Sequence, residues 1–320
     1  MWKRRVSAVE ADLVADQRIT SPGTVVAGRY RLQSLLGSGG MGRVWRAEDE
    51  VLARSVALKQ VVPAEATSAH ARGARMLALW EARAAARVHH IGAVQIHDVV
   101  RAKHNLWIVM ELLSGSTLAR VLRAEGPLPL NQAARIGLCL LDVLQATHRA
   151  GIVHCDVKPA NVHLCHDGRV VLADFGVART AGDSKVSGGE LAGSPPYIAP
   201  ERIHGHRVQP ASDMFSLGAT LFTAVEGRLP FDEGTRSGTL TAVIEGEVAP
   251  FLRAGPLRPV IEGLLANKPE QRLDADQARA ALQGIQARVS RLSGHSGSRA
   301  RKPSDVASPD FFDPKNEIEN

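Results

Sequence analysis

The chain has 320 residues, of which 44% are hydrophobic and 22% charged, and it carries a formal charge of +6 at pH 7. That composition fits a globular protein long enough for two core-bearing lobes. No stretch approaches the roughly eighteen consecutive apolar residues of a membrane helix, the start "MWKRRVSAVEADLV" lacks the apolar run of a signal peptide, and the basic side chains are scattered among acids.

The expectations are therefore a cytoplasmic protein with no membrane span and no nucleic-acid partner. Cys139, Cys155 and Cys165 have neither metal-type spacing nor the number for a disulfide framework. Only eight of the 39 Lys plus Arg are lysines. A lysine in an apolar or motif context, such as Lys59 or Lys158, then marks a place where a compact ammonium is needed.

In chain order, residues 1–27 read as a flexible polar leader. Strand-like text follows in "RYRLQSLLG", "GRVWRAED" and "RSVALKQVV", then an Ala- and Arg-rich helical stretch over 67–88. "AVQIHDVVRA" and "LWIVMELL" are again strand-like, and a hinge falls at Glu111–Gly115. Beyond it lies an amphipathic helix over 131–150, then "VHLC" and "RVVLAD" flanking "HDG" as a small hairpin. Helices dominate 211–287, and the tail 289–320 has a disordered composition. The class is α+β, with a small strand-rich lobe at 28–114 and a larger helical one at 115–288.

Several segments suit phosphate. "LLGSGGMGRVWRA" sets Gly37, Gly39 and Gly42 between two strands, where backbone N–H groups can approach phosphate oxygens. A plain hairpin loop is an equal reading. Lys59 of "VALK" sits in an apolar strand and calls for a carboxylate to hold it. Glu81, on the helix that follows, is the candidate, against the plain alternative of a solvated helix face. "HCDVKPAN" carries Asp156, Lys158 and Asn161, and "ADFGVAR" carries Asp174. Phosphoryl transfer needs a carboxylate to orient the attacking hydroxyl, oxygen ligands for Mg²⁺, and positive charge on the moving group. Asp156 suits the first need, Asn161 with Asp174 the second, and Lys158 the third.

Taken together, "GSGGMGRV", "VALK", Glu81, "IVMELLSGSTL", "HCDVKPAN", "DFG", "GSPPYIAPE", "SDMFSLG" and "NKPEQRL" run in the order found in eukaryotic-type serine/threonine protein kinases. The chain resembles the bacterial, actinobacterial-like branch of that family over about 30–287. The resemblance implies a bilobal protein-kinase fold, with a β-rich lobe bearing one main helix and a larger helical lobe. It implies ATP with Mg²⁺, Mn²⁺ being able to substitute, and protein substrates phosphorylated on Ser or Thr.

Position by position, it implies that Leu36, Gly37, Gly39 and Gly42 cover the nucleotide. Lys59 would contact the α- and β-phosphates and pair with Glu81. Met110 would back the adenine pocket, Glu111 and Leu113 would offer hinge backbone, and Val44, Ala57 and Leu164 would sandwich the base. Asp156 would be the catalytic base, and Asn161 and Asp174 the metal ligands. Ser194 would belong to the substrate-docking loop, Glu201 would pair with Arg272, Asp213 would cap the catalytic-loop backbone, and His154 would pack under the Asp-Phe-Gly turn. Lys158 marks Ser/Thr rather than Tyr specificity. A homodimer for autophosphorylation is compatible with the family.

Most members have Arg where Cys155 stands, and that Arg binds an activation-loop phosphate. A thiol cannot make a bidentate bond to phosphate. The expectation is a kinase that does not depend on phosphorylation of Thr180, Ser184 or Ser187. Cys155 itself is read as a buried, inert thiol, because the neighbouring Asp156 disfavours thiolate. The rival reading is a pseudokinase scaffold that binds nucleotide without catalysis.

Overall fold

The computed structural model describes residues 21–39, 42–61, 76, 79–102, 105–175, 178–180 and 193–295. Two compact units emerge. The first takes the chain to Leu79 together with Gln95–Leu112, and the second takes Trp80–Val94 together with the chain from Leu113 onward.

In the first unit, β1 (Val25–Val26), β2 (Tyr30–Gly39), β3 (Gly42–Asp49), β4 (Arg54–Val61), β5 (Ile96–Ala102) and β6 (Asn105–Glu111) form one antiparallel sheet in the order β1-β2-β3-β4-β6-β5. Alternation puts Trp45 and Ala47 of β3, Val56 and Leu58 of β4, and Trp107 and Val109 of β6 on one face. They pack with Val26, Tyr30 and Leu32 into a core. The turn after β3 is fixed by Asp49, whose carboxylate takes two bonds from Arg29, at 2.7 and 2.8 Å, and accepts from the N–H groups of Val51 and Leu52.

The second unit is mainly helical. Its helices among the described residues are α1 (residues 79–86, in this unit from Trp80), α2 (Leu118–Glu125), α3 (Leu130–Arg149), α4 (Pro200–Ile203), α5 (Pro210–Glu226), α6 (Arg236–Glu245), α7 (Arg258–Leu264) and α8 (Ala275–His295). Three short strands, β7 (Ser116–Thr117), β9 (Val162–Leu164) and β10 (Val170–Leu172), pair in the order β10-β9-β7. The β9–β10 pair is the hairpin expected at "HDG". A further pair joins β8 (Ile152–Val153) to β11 (Arg179–Thr180). α3 buries Ala133, Ala134, Ile136, Gly137, Leu140, Leu141, Val143 and Leu144, the three-and-four spacing of one helical face. α5 is buried almost all round, begins with Pro210 at its first position, and stops at the left-handed Gly227, φ 71°. Among the described residues, no helix is long and apolar enough to cross a membrane.

Three boundaries differ from those drawn on the sequence. The flexible leader expected over 1–27 ends earlier, because Val25–Val26 already pair with Tyr30 and Arg31 as β1 and Gly23 N–H donates to the Leu32 carbonyl at 2.7 Å. Residues 80–94 group with the helical unit rather than with the rest of 28–114, because their polar groups bond there. Trp80 Nε1 donates to the Ala178 carbonyl at 2.9 Å, Val94 N–H to Leu172 at 3.1 Å, and Leu172 N–H to Gly92 at 2.7 Å. α8 also continues to His295, past the 288 limit. The rest of the 289–320 tail, residues 1–20 of the 1–27 leader, most of the first part of the 67–88 stretch, Ser184 and Ser187 lie outside the described residues.

Gly115 leads into β7 with φ 84°, and a Cβ there would stand 2.1 Å from the Leu164 carbonyl oxygen. Gly115→Ala combines a strained backbone with a backbone clash, so it should lower unfolding free energy by about 3 kcal/mol. Denaturant melts check this, and a loss below about 1 kcal/mol would be inconsistent with the packing.

Candidate active site

In the first unit, the face opposite the Trp45 core carries the expected nucleotide residues. Cross-strand register sets Val44 of β3 against Lys59 of β4 and Ile108 of β6, and Ala57 of β4 against Met110 of β6. Opposed residues of a sheet point to the same side, so Val44, Ala57, Lys59 and Met110 share a face. Lys59 is 7% exposed, in keeping with a lysine placed for a purpose rather than for solubility. Gly37 faces Val44, and Gly39 faces Gly42 at the end of the β2–β3 hairpin. Leu36 is the extra residue at a bulge and is half-exposed. Gly42 has a second reason to be glycine, since a Cβ would stand 2.0 Å from the Gln60 carbonyl oxygen of β4. Glu111 closes β6, where its N–H donates to the Gln95 carbonyl at 2.9 Å.

In the second unit, the loop after β8 brings the polar candidates together. Asp156 is 4% exposed. Lys158 Nζ lies 2.7 Å from Asp156 Oδ2 and 3.2 Å from Ser194 Oγ. Asn161 Nδ2 donates both to Asp156 Oδ2, at 2.8 Å, and to the Asp156 carbonyl, at 2.9 Å. Acid, ammonium, amide and hydroxyl thus form one connected group. Ala173 N–H donates to the Asn161 carbonyl at 2.9 Å, which lays the segment leading to Asp174 alongside Asn161. Asp174 adopts φ 63°, uncommon for a residue with a Cβ and frequent at functional sites. Leu164 is buried on β9, while Leu113 and Glu81 are half-buried.

Beneath the loop, Asp213 of α5 accepts from the N–H groups of His154 and Cys155, each at 2.8 Å, and contacts His148 Nε2 at 2.8 Å. Burial pushes the Asp213 carboxyl up. The bond and charge of His148, with His154 and the Cys155 N–H, outweigh it and leave the carboxyl below its ordinary 3.8. Burial drives the His154 imidazole down against the pull of Asp213, Asp156 and Asp174, and its ring meets the Phe175 ring edge-on at 4.6 Å. Glu201 pairs with Arg272 through two bonds of 3.0 and 3.1 Å and accepts from Ser212 Oγ at 2.7 Å. Burial raises its carboxyl, and the hydrogen bonds and charge of Arg272 more than offset that, leaving it below 4.5.

These depressed carboxyls set an acid limit. A group with a lowered folded pKa contributes stability above its unfolded value and loses it as pH falls through the folded one. Stability from Glu201 and Asp213 should therefore hold down to about pH 4.5 and fall below it. Denaturation midpoints in a buffer series test this, and a flat profile down to about pH 3 would contradict it.

Cys155 is buried, as expected. Two residues went unrecognised in the sequence. One is His148, read only as part of a helix. The other is Arg202, which donates to the Cys155 carbonyl from a position without a motif of its own.

An aspartate joined to a lysine and an asparagine on one loop, with a second aspartate beside it, is the side-chain set that phosphoryl transfer calls for. The family described as Protein kinase domain matches residues 30–281, and the chain belongs to that family. It is 38% identical over 261 residues to the serine/threonine-protein kinase PknA of Mycobacterium tuberculosis, covering 78% of this chain and 59% of the relative. It is 37% identical over 206 residues to PknL of the same species, covering 63% of this chain and 50% of the relative. A probable serine/threonine-protein kinase of Streptomyces coelicolor is 37% identical over 215 residues, covering 64% of this chain and 31% of the relative. The matched part of the chain therefore spans 59%, 50% and 31% of the length of these curated relatives. The α+β class, with a sheet in one unit and helices in the other, agrees with this membership.

Proposed function

We propose that the chain is an ATP-dependent serine/threonine protein kinase that transfers the γ-phosphoryl group to Ser or Thr hydroxyls of cytoplasmic proteins. The observation that carries this is the contact of Lys158 Nζ with both Asp156 Oδ2 and Ser194 Oγ. Asp156 orients the acceptor hydroxyl and takes its proton, while Lys158 places positive charge where the phosphoryl group moves. Lys59, with Glu81 as its partner, holds the α- and β-phosphates. Leu36, Gly37, Gly39 and Gly42 cover the nucleotide, and Val44, Ala57, Met110, Glu111, Leu113 and Leu164 hold the adenine. The names of the relatives support Ser/Thr as the acceptor.

Asn161 and Asp174 fit a hard divalent cation such as Mg²⁺, with Mn²⁺ as a substitute. The Asn161 nitrogen is committed to Asp156, so its carbonyl oxygen is the atom left for a metal. Among the described residues, no three His, Cys, Asp or Glu side chains are grouped to hold a metal. The remaining ligands of such an ion would be phosphate oxygens and water. When bound, the ion would neutralise developing phosphate charge.

The activity does not require activation-loop phosphorylation, because Cys155 supplies no cation for a phosphate. The variant with Thr180, Ser184 and Ser187 all changed to Ala should stay active, and activity as low as that of Asp156→Asn would overturn this point. For the function itself, the protein is incubated with radiolabelled ATP, Mg²⁺ and a generic basic protein. Label on Ser or Thr supports the kinase. Nucleotide binding with no transfer would favour the scaffold instead.

A further inference from the structure

Cys155 has φ 67°, a left-handed backbone that a residue with a Cβ keeps only where its surroundings over-determine it. Three contacts do so. Its N–H donates to Asp213 Oδ1 at 2.8 Å, its side chain lies among Val153 and Val208, and its carbonyl accepts from Arg202 Nη1 at 2.5 Å. The third contact is charge-assisted and buried, since Arg202 is 9% exposed. That carbonyl belongs to the peptide leading into Asp156. Turning this peptide would swing the carboxylate away from Lys158 and Asn161. Arg202 sits on α4, shortly after Ser194, the residue whose hydroxyl meets Lys158. One guanidinium therefore ties the end of the activation segment to the peptide that aims the acid.

We infer that Arg202 is a positioning residue for phosphoryl transfer, fixing the Cys155–Asp156 peptide through a permanent guanidinium–carbonyl bond. An arginine at position 155 would need a loop phosphate to make a comparable link. Here the cation comes from α4 and its acceptor is backbone, so the link is always made. This inference rests on the kinase reading and gives the Cys155–Asp156 peptide an anchor that needs no phosphate.

The test uses the full chain as Arg202→Met and Arg202→Lys, with kcat, KM for ATP and melting measured for each. Arg202→Met should lower kcat about tenfold to a hundredfold, with KM for ATP within about twofold of the wild type. Lysine, which can offer a single donor to the same carbonyl, should fall between the two. A folded Arg202→Met with kcat within about twofold of the wild type overturns the inference. So does a fall in kcat matched by an equal rise in KM for ATP, which would report general loosening. If the methionine variant does not fold, the lysine variant decides: lowered kcat at unchanged KM supports the role, and unchanged kcat refutes it. If the wild type transfers no label at all, the kinase reading fails and this inference falls with it. A failure confined to the Arg202 variants leaves the kinase reading standing.

Discussion

Asp156→Asn should abolish label transfer, lowering kcat by about a hundredfold to ten-thousandfold, while nucleotide binding survives. The carboxylate accepts from two donors at once, Lys158 Nζ at 2.7 Å and Asn161 Nδ2 at 2.8 Å, both on Oδ2. An amide in its place can keep both donors on its oxygen, but it sets an NH2 group, which cannot accept a proton, at the Oδ1 position. It also loses the negative charge that holds Lys158 and the basicity that accepts a proton. The side chain keeps its shape, so the backbone bonds beneath it, from His154 and Cys155 to Asp213, should remain. Rates with radiolabelled ATP, nucleotide affinity and a melting curve separate the effects. A folded variant retaining more than about a tenth of wild-type kcat would remove Asp156 from its assigned role.

Arg272→Met should cost about 3 to 5 kcal/mol of stability. The guanidinium is fully buried and bonds both Glu201 oxygens, along with the carbonyls of Ala266, Ala211 and Asn267. It also lies over the Phe215 ring at 5.2 Å. Removing it leaves a buried carboxylate without its cation and takes one donor from each of three carbonyls. In Glu201→Met/Arg272→Met the stranded charge is gone, so the double variant should be more stable than Arg272→Met alone, while the hydrogen bonds lost to those carbonyls keep it below wild type. The double variant should also lose part of the acid sensitivity contributed by Glu201. Chemical denaturation measures all three proteins. A loss under about 1 kcal/mol in Arg272→Met would mean that water reaches the pair.

Much of this site was legible from residue order alone. "HCDVKPAN" fixes Asp156, Lys158 and Asn161 on one short loop, and the structure finds them bonded to each other because five residues leave little freedom to separate them. The hairpin around "HDG" and the buried strand of "VALK" follow from local periodicity and turn chemistry. The Glu201–Arg272 pair and the Asp213 cap were reachable only through family resemblance, since 71 and 58 residues separate the partners in the contacts they make. His148 lay hidden inside a helical pattern. Gly42 was read for phosphate, yet the Gln60 carbonyl beside it already requires glycine.

Residue order placed an acid, an ammonium and an amide at fixed spacing on one loop, because so short a segment leaves them little room to part. Apolar period and the placement of Gly and Pro likewise marked the long strands and helices, while the two-residue strands such as β1 and β8 depend on partners elsewhere in the chain. Tertiary structure alone decided which donors hold the backbone of that loop. Residues 80–94 sit with the helical unit because Trp80, Gly92 and Val94 find their hydrogen-bond partners there. Arg202 reaches Cys155 across 47 residues of chain for the same reason. A buried carbonyl must be satisfied by whatever donor the packing delivers, and no local pattern encodes that delivery.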